Sequence, residues 1–234
     1  MTSRLDQKYA QLRDLARLVR AQRSLPLNRD LAAVVTSLES AIGPTISQRL
    51  AARVLGVSHV ALSRWVRAGD LPLVINNKGR EEFPTRLLVD LAIAVGDARD
   101  SNPRAHVLEP IMHMHRRRAD SLRRRGLAAP SSPGSDPHDR AKAISLAYHG
   151  EIARNLTRGD ADEALRNVWR LSGSGKMNER YAEKWEQLLG GSLIEIKSVL
   201  IERSSEADDL RQNSPFTGML SEPERQAIVE LAAA

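Results

Sequence analysis

The sequence predicts a mainly α-helical protein with one short β-hairpin and a C-terminal helical domain. Three observations carry that expectation. Only 3% of residues are aromatic against 41% hydrophobic, so the core must be built from Leu, Ala, Val and Ile, a mix that favours helices over sheets. Apolar residues recur at three- and four-residue spacing along most of the chain. A single stretch, Val74 to Phe83, reads as strand, Asn/Gly turn and return strand. At 234 residues there is length for one large or two small domains.

Taken in order, Leu5, Tyr9, Leu12, Leu15, Ala16 and Val19 predict an amphipathic helix over 4–23. Ser24-Leu25-Pro26 breaks it. Asn28 then caps a second helix to about Ser40, with Leu31, Val34, Val35 and Leu38 facing inward, and Gly43-Pro44 ends it. Residues 1–44 thus form an N-terminal helical hairpin, and 45–97 a second unit. A basic connecting segment (98–127) follows, with a short loop over 100–103 before a helix from about Ala105 to Arg125. The stretch from Ala128 through Pro130, Pro133, Gly134 and Pro137 cannot propagate helix or strand and buries little, so 128–138 is a linker. Residues 139–234 read as helices over 139–155, 160–172, 178–189, 191–202, 204–213 and 222–233. No strand besides the hairpin is expected.

There are no cysteines, which excludes disulfides, thiolate metal sites and cysteine nucleophiles. Neither a secretory leader nor eighteen consecutive apolar residues occurs, so a cytoplasmic protein with no membrane partner is expected. Residues 1–125 hold 22 basic and 12 acidic residues, a balance of +10, whereas 126–234 hold 13 and 17, a balance of −4. A basic front points to a polyanion at that end.

The segment from Thr45 to Arg67 supplies what two short, steeply crossing helices need. Ala51 is the small residue at the crossing. Gly56 permits a left-handed turn, Val57 plugs it, and Ser58 caps the second helix. Leu62 and Val66 face the first helix alongside Leu50, Val54 and Leu55. His59, Ser63, Arg64 and Arg67 remain outside, where such a helix meets base edges in the major groove of double-stranded DNA. Thr45, Ser47 and Gln48 are placed to touch phosphate, together with the Ser58 end of the second helix. The same residues also suit an ordinary helical hairpin with a capping serine and solvated arginines. The continuation of the chain favours the DNA reading. A wing is predicted from Val74 to Phe83, with Lys78 and Arg80 at its tip, and Pro84 then opens a helix with Leu87, Leu88, Leu91 and Val95 inward.

These residues resemble the excisionase-like branch of the MerR-type winged helix-turn-helix family. The match lies in Ile46-Ser47-Gln48, Ala51-Ala52, Leu55-Gly56-Val57-Ser58, Leu62-Ser63-Arg64-Trp65-Val66, Gly69, Leu71-Pro72, Gly79-Arg80 and Phe83, over roughly 50 residues. The resemblance implies sequence-specific DNA binding and transcriptional regulation. Asn76-Asn77 and Glu81-Glu82 make this wing less basic than the pattern.

Other motifs point less far. Arg116, Arg117 and Arg118 with Arg123, Arg124 and Arg125 spread around a helix; Arg116, Arg117, Arg123 and Arg124 are candidate nonspecific phosphate contacts, or a solvated helix end. His106, His113 and His115 lack the spacing and companions of a metal set. Gly173-Ser174-Gly175-Lys176 lacks the first glycine, the Ser/Thr and the strand of a phosphate-binding loop, and reads as a turn between helices. No catalytic constellation stands out, so no enzyme and no cofactor is expected.

In the rear, Tyr181, Trp185, Leu188 and Leu189 share an apolar face. Ser221, Pro223 and Glu224 open the last helix as a capping box, and Ser214-Pro215-Phe216 makes a turn with an apolar plug. The tail, chiefly Leu210–Leu220, looks like the C-terminal region of antitoxin-type regulators. That resemblance implies an autorepressor whose rear half clasps a toxin protein. A stand-alone regulator whose rear half forms a homodimer or binds a ligand is the alternative.

Overall fold

The computed structural model describes residues 4–101, 108–126 and 137–233; residues 128–136 of the expected 128–138 linker, residues 102–103 of the expected 100–103 loop, and His106 lie outside them, while Asp100, Ser101, Pro137 and His138, expected in those connections, are helical. The described residues are mainly helical, with a small antiparallel sheet. The chain divides into two compact units, Met1–Met114 and His115–Ala234.

In the front unit α1 (Arg4–Ser24) buries Leu12, Leu15 and Val19, one stripe at helical spacing. The Asn28 side chain accepts the Leu31 N–H at 2.9 Å and caps α2 (Arg29–Ile42). Val34, expected inside, is 55% exposed, because the buried stripe of α2 runs through Ala32, Val35 and Ile42.

The next element is a strand that local sequence does not announce. β1 (Thr45–Ile46) leads into α3 (Gln48–Leu55) and α4 (His59–Arg67), and then come β2 (Val74–Ile75) and β3 (Glu81–Pro84). β3 lies between the other two, with Thr45 opposite Pro84, Ile46 opposite Phe83, and Val74 opposite Glu82. Two residues cannot display alternation, and β1 exists only because β3 returns to it. Pro84, expected to open a helix, ends β3 instead, and α5 (Thr85–Ser101) starts after it. Thr85 fastens that start: its hydroxyl donates to the Gly43 carbonyl at 2.5 Å and its N–H to that of Pro44 at 2.9 Å. Ile46, Leu50, Leu55, Leu62, Phe83 and Leu88 meet in one core, each 2% exposed or less.

The border between the units falls inside α6 (Leu108–Arg125). Leu108 and Met112 belong to the front core; Ala119 and Leu122 pack with Ala227 and Ile228 in the rear unit. The rear unit comprises that part of α6 with α7 (Pro137–Asn155), α8 (Arg158–Gly173), α9 (Glu179–Gly190), α10 (Leu193–Ile201), α11 (Ser205–Gln212) and α12 (Glu222–Ala233). Its core closes on the expected plug. Phe216 meets Trp185 edge to face at 5.7 Å, the Trp185 indole donates to the Asn213 carbonyl at 3.0 Å, and Tyr148 donates to the Phe216 carbonyl at 3.1 Å. The Gly-Ser-Gly-Lys fragment is a helix end: Gly175 is left-handed and the Lys176 N–H returns to the Leu171 carbonyl at 2.8 Å.

Candidate nucleic-acid interface

The turn between α3 and α4 is fixed by backbone chemistry. Gly56 has φ +67° and ψ +36°, and the Val57 and Gly56 N–H groups return to the Ala52 and Arg53 carbonyls at 3.0 and 3.3 Å. Such a closure needs a left-handed residue, which costs any side chain sterically. Val57 packs partly on the core. The Ser47 and Ser58 hydroxyls accept the Leu50 and Ala61 N–H groups, capping α3 and α4. Each hydroxyl keeps its own proton to give. Two further helices brace α3. Arg53 stacks 4.4 Å over the Tyr9 ring and pairs with Asp6 at 2.7 Å, while Arg99 of α5 donates to the Leu55 carbonyl at 3.2 Å.

Leu62 and Trp65 turn α4 inward, at 0% and 6% exposure. His59, Arg64 and Arg67 are exposed on the other side, with Ser63 half-buried at its edge. Arg64 lies 3.8 Å from Glu109 and 5.7 Å from the Trp65 ring, its side chain still 64% exposed. The predicted recognition residues therefore share one accessible face.

The hairpin tip is organised by a residue that charge counting passes over. The Asn76 side chain accepts N–H groups from Lys78 at 2.8 Å and Arg80 at 3.0 Å, and left-handed Gly79 closes the loop by donating to the Asn76 carbonyl at 3.0 Å. This is the three-residue turn with a glycine in the left-handed position. Lys78 and Arg80 are exposed on it. Of the predicted phosphate contacts, Gln48 is half-buried in the first turn of α3. Thr45 donates its hydroxyl to Glu82 at 2.5 Å, so a phosphate there would compete with a carboxylate. That hydrogen bond holds the Glu82 carboxyl below the usual range.

The arginine-rich helix is partly spent on the protein itself. Arg123 pairs with Glu230 at 2.9 Å and Asp120 at 3.2 Å, and Arg125 with Glu151 at 2.9 Å; Arg116, Arg117 and Arg124 are exposed. Arg118 and Arg125 also border a rear-unit cavity of about 450 Å³. Glu151 in its wall is already paired by Arg125, Arg154 and Asn155, and Glu224 accepts from Ser221. Among the described residues no helix is long and apolar enough to cross a membrane, and no three His, Asp or Glu gather as metal ligands would.

Sequence reasoning misses two neighbours of the site. Glu109 arrives from α6, over 40 residues beyond Arg64, and nothing local could reveal it. Val60, 75% exposed between His59 and Arg64, is visible to helical periodicity, but an apolar residue gives no charge signal. No family model matches the chain, and no curated protein or solved structure does.

Proposed function

We propose that the front unit is a winged helix-turn-helix that binds double-stranded DNA sequence-specifically. In this reading α3 is the positioning helix, α4 the recognition helix and β2–β3 the wing. The observation that carries it is the outer face of α4: His59, Arg64 and Arg67 stand exposed opposite buried Leu62 and Trp65. Arginine is the side chain best suited to guanine, offering two parallel donors to O6 and N7. Lys78 and Arg80 on the hairpin supply the sequence-independent phosphate term.

The rear unit is proposed as a partner-binding half, making the whole an antitoxin-type autorepressor. The Leu210–Leu220 run that carries the resemblance is used by the core, since Leu210 is 8% and Phe216 0% exposed. The partner surface is therefore sought on α10, where Ile194 is 81% and Ile201 54% exposed.

The test selects duplexes from random DNA with the full chain and then titrates the enriched duplex. Arg64→Ala is expected to remove selectivity over random duplex, a loss of roughly 1–3 kcal/mol. If enrichment fails, or Arg64→Ala titrates like the parent, α4 is not the reader. Co-purification with the product of the adjoining reading frame, lost in Ile194→Asp, supports the second half; no complex leaves a stand-alone regulator.

A further inference from the structure

We infer that Val60 reads the C5-methyl group of a thymine, so that the bound sequence carries a thymine beside the base met by Arg64. Resting as it does on α4 being the recognition helix, the inference adds a chemical requirement that the arginines do not impose.

An α-helix turns about 100° per residue. Leu62 and Trp65 define the buried side of α4, and the positions directly opposite are those of Val60 and Arg67, flanked by Ser63 and Arg64. Val60 thus occupies the middle of the outward face, in the first turn, which reaches deepest into a major groove. It is 75% exposed.

Single exposed apolar residues are ordinary on protein surfaces. Three features separate this one. A β-branched residue serves a solvent-facing helix less well than Ala, Glu or Lys, so helix propensity does not account for it. It stands one helical turn from Arg64, between cations suited to a polyanion rather than to an apolar protein surface. And the major-groove edge offers one apolar group, the thymine methyl, which aliphatic side chains contact in direct readout. An isolated valine among arginines matches that chemistry.

The experiment uses the full chain and the duplex enriched by selection from random DNA. Each thymine is replaced in turn by deoxyuridine, which removes the methyl and leaves every hydrogen bond. One replacement, or a symmetry-related pair, is expected to weaken binding about fourfold per methyl lost. In Val60→Ala the parent and uracil duplexes should bind alike, with the melting temperature unchanged because Val60 buries little. If no uracil replacement weakens binding while Arg64→Ala still abolishes selectivity, the inference falls and the recognition role of α4 stands. A uracil effect that persists in Val60→Ala also overturns it, since another group then reads the methyl. If no duplex is enriched, the recognition role of α4 falls and the inference with it; if Val60→Ala alters self-association instead of DNA binding, the valine serves another surface and the inference is lost.

Discussion

At the residue scale, Arg64 and Glu109 lie 3.8 Å apart with both side chains more than half exposed. An exposed pair of this kind is worth less than about 1 kcal/mol, whereas a bidentate arginine on guanine contributes about 1–3 kcal/mol of discrimination. On the proposed reading DNA would win the competition, and Glu109 would trim affinity without blocking it. Glu109→Gln is expected to tighten binding about two- to fivefold in a fluorescence anisotropy titration at low salt, with the gain shrinking as salt rises. In the proposed complex Lys78 would act through charge alone. Lys78→Ala should weaken all duplexes alike and reduce the slope of log affinity against log salt by about one. Gly56 is a different case. A Cβ there would sit 2.8 Å from the Arg99 guanidinium in a left-handed backbone at φ +67°. Gly56→Ala should destabilise the front unit by roughly 1–2 kcal/mol in denaturant melts, with Arg99 displaced from the Leu55 carbonyl.

At the element scale, most helices were legible because their signals are local. Asn28 and Ser58 cap where the sequence placed caps, Ser47 also caps α3 although it was expected only as a phosphate contact, and the rear helices begin and end within a few residues of the expected spans. Thr157 and Ser192 cap α8 and α10 by reciprocal bonds with Asp160 and Glu195, again a three-residue signal. The sheet was harder to read. β1 has two residues, whose partners Pro84 and Phe83 lie 39 and 37 positions further on, so no window contains both partners. The role of Asn76 was hidden for a similar reason: its amide counts as neutral in a charge tally, yet it ties two backbone N–H groups of the tip. Asn76→Ala should speed amide exchange at Lys78 and Arg80 and lower front-unit stability by roughly 1 kcal/mol. Nonspecific DNA affinity should fall with it, because the two tip cations lose their mounting.

At the scale of the whole molecule, each unit owns a core, and a buried histidine is expected to make the rear one sensitive to acid. His149 is 3% exposed; its Nδ1–H donates to the Ser145 carbonyl at 2.7 Å and its Nε2 accepts from Ser214 at 2.8 Å. Burial, helped by nearby Arg211, lowers its pKa to about 4 from the ordinary 6.5. Because the folded state holds the imidazole neutral, the unfolded state binds the extra proton between those values. Stability is then flat in this group above pH 6.5 and falls as pH drops toward 4, by up to roughly 3 kcal/mol. In Trp65→Phe the remaining tryptophans, Trp169 and Trp185, report the rear unit alone; their unfolding midpoint should drop through that window, and His149→Gln should remove most of the slope. A flat profile in the parent would show that the site admits water. The sequence by itself determined the helical class, the caps, the glycine turn, the hairpin and the arginines of α4, since each is written within a few residues of itself. Only the tertiary structure decided that β1 joins the sheet, that Val34 faces out, that Glu109 meets Arg64 and that His149 is sealed beside Ser214. Those outcomes depend on which distant segment fills the neighbouring space, and packing between segments remote in sequence leaves no periodic trace in either one.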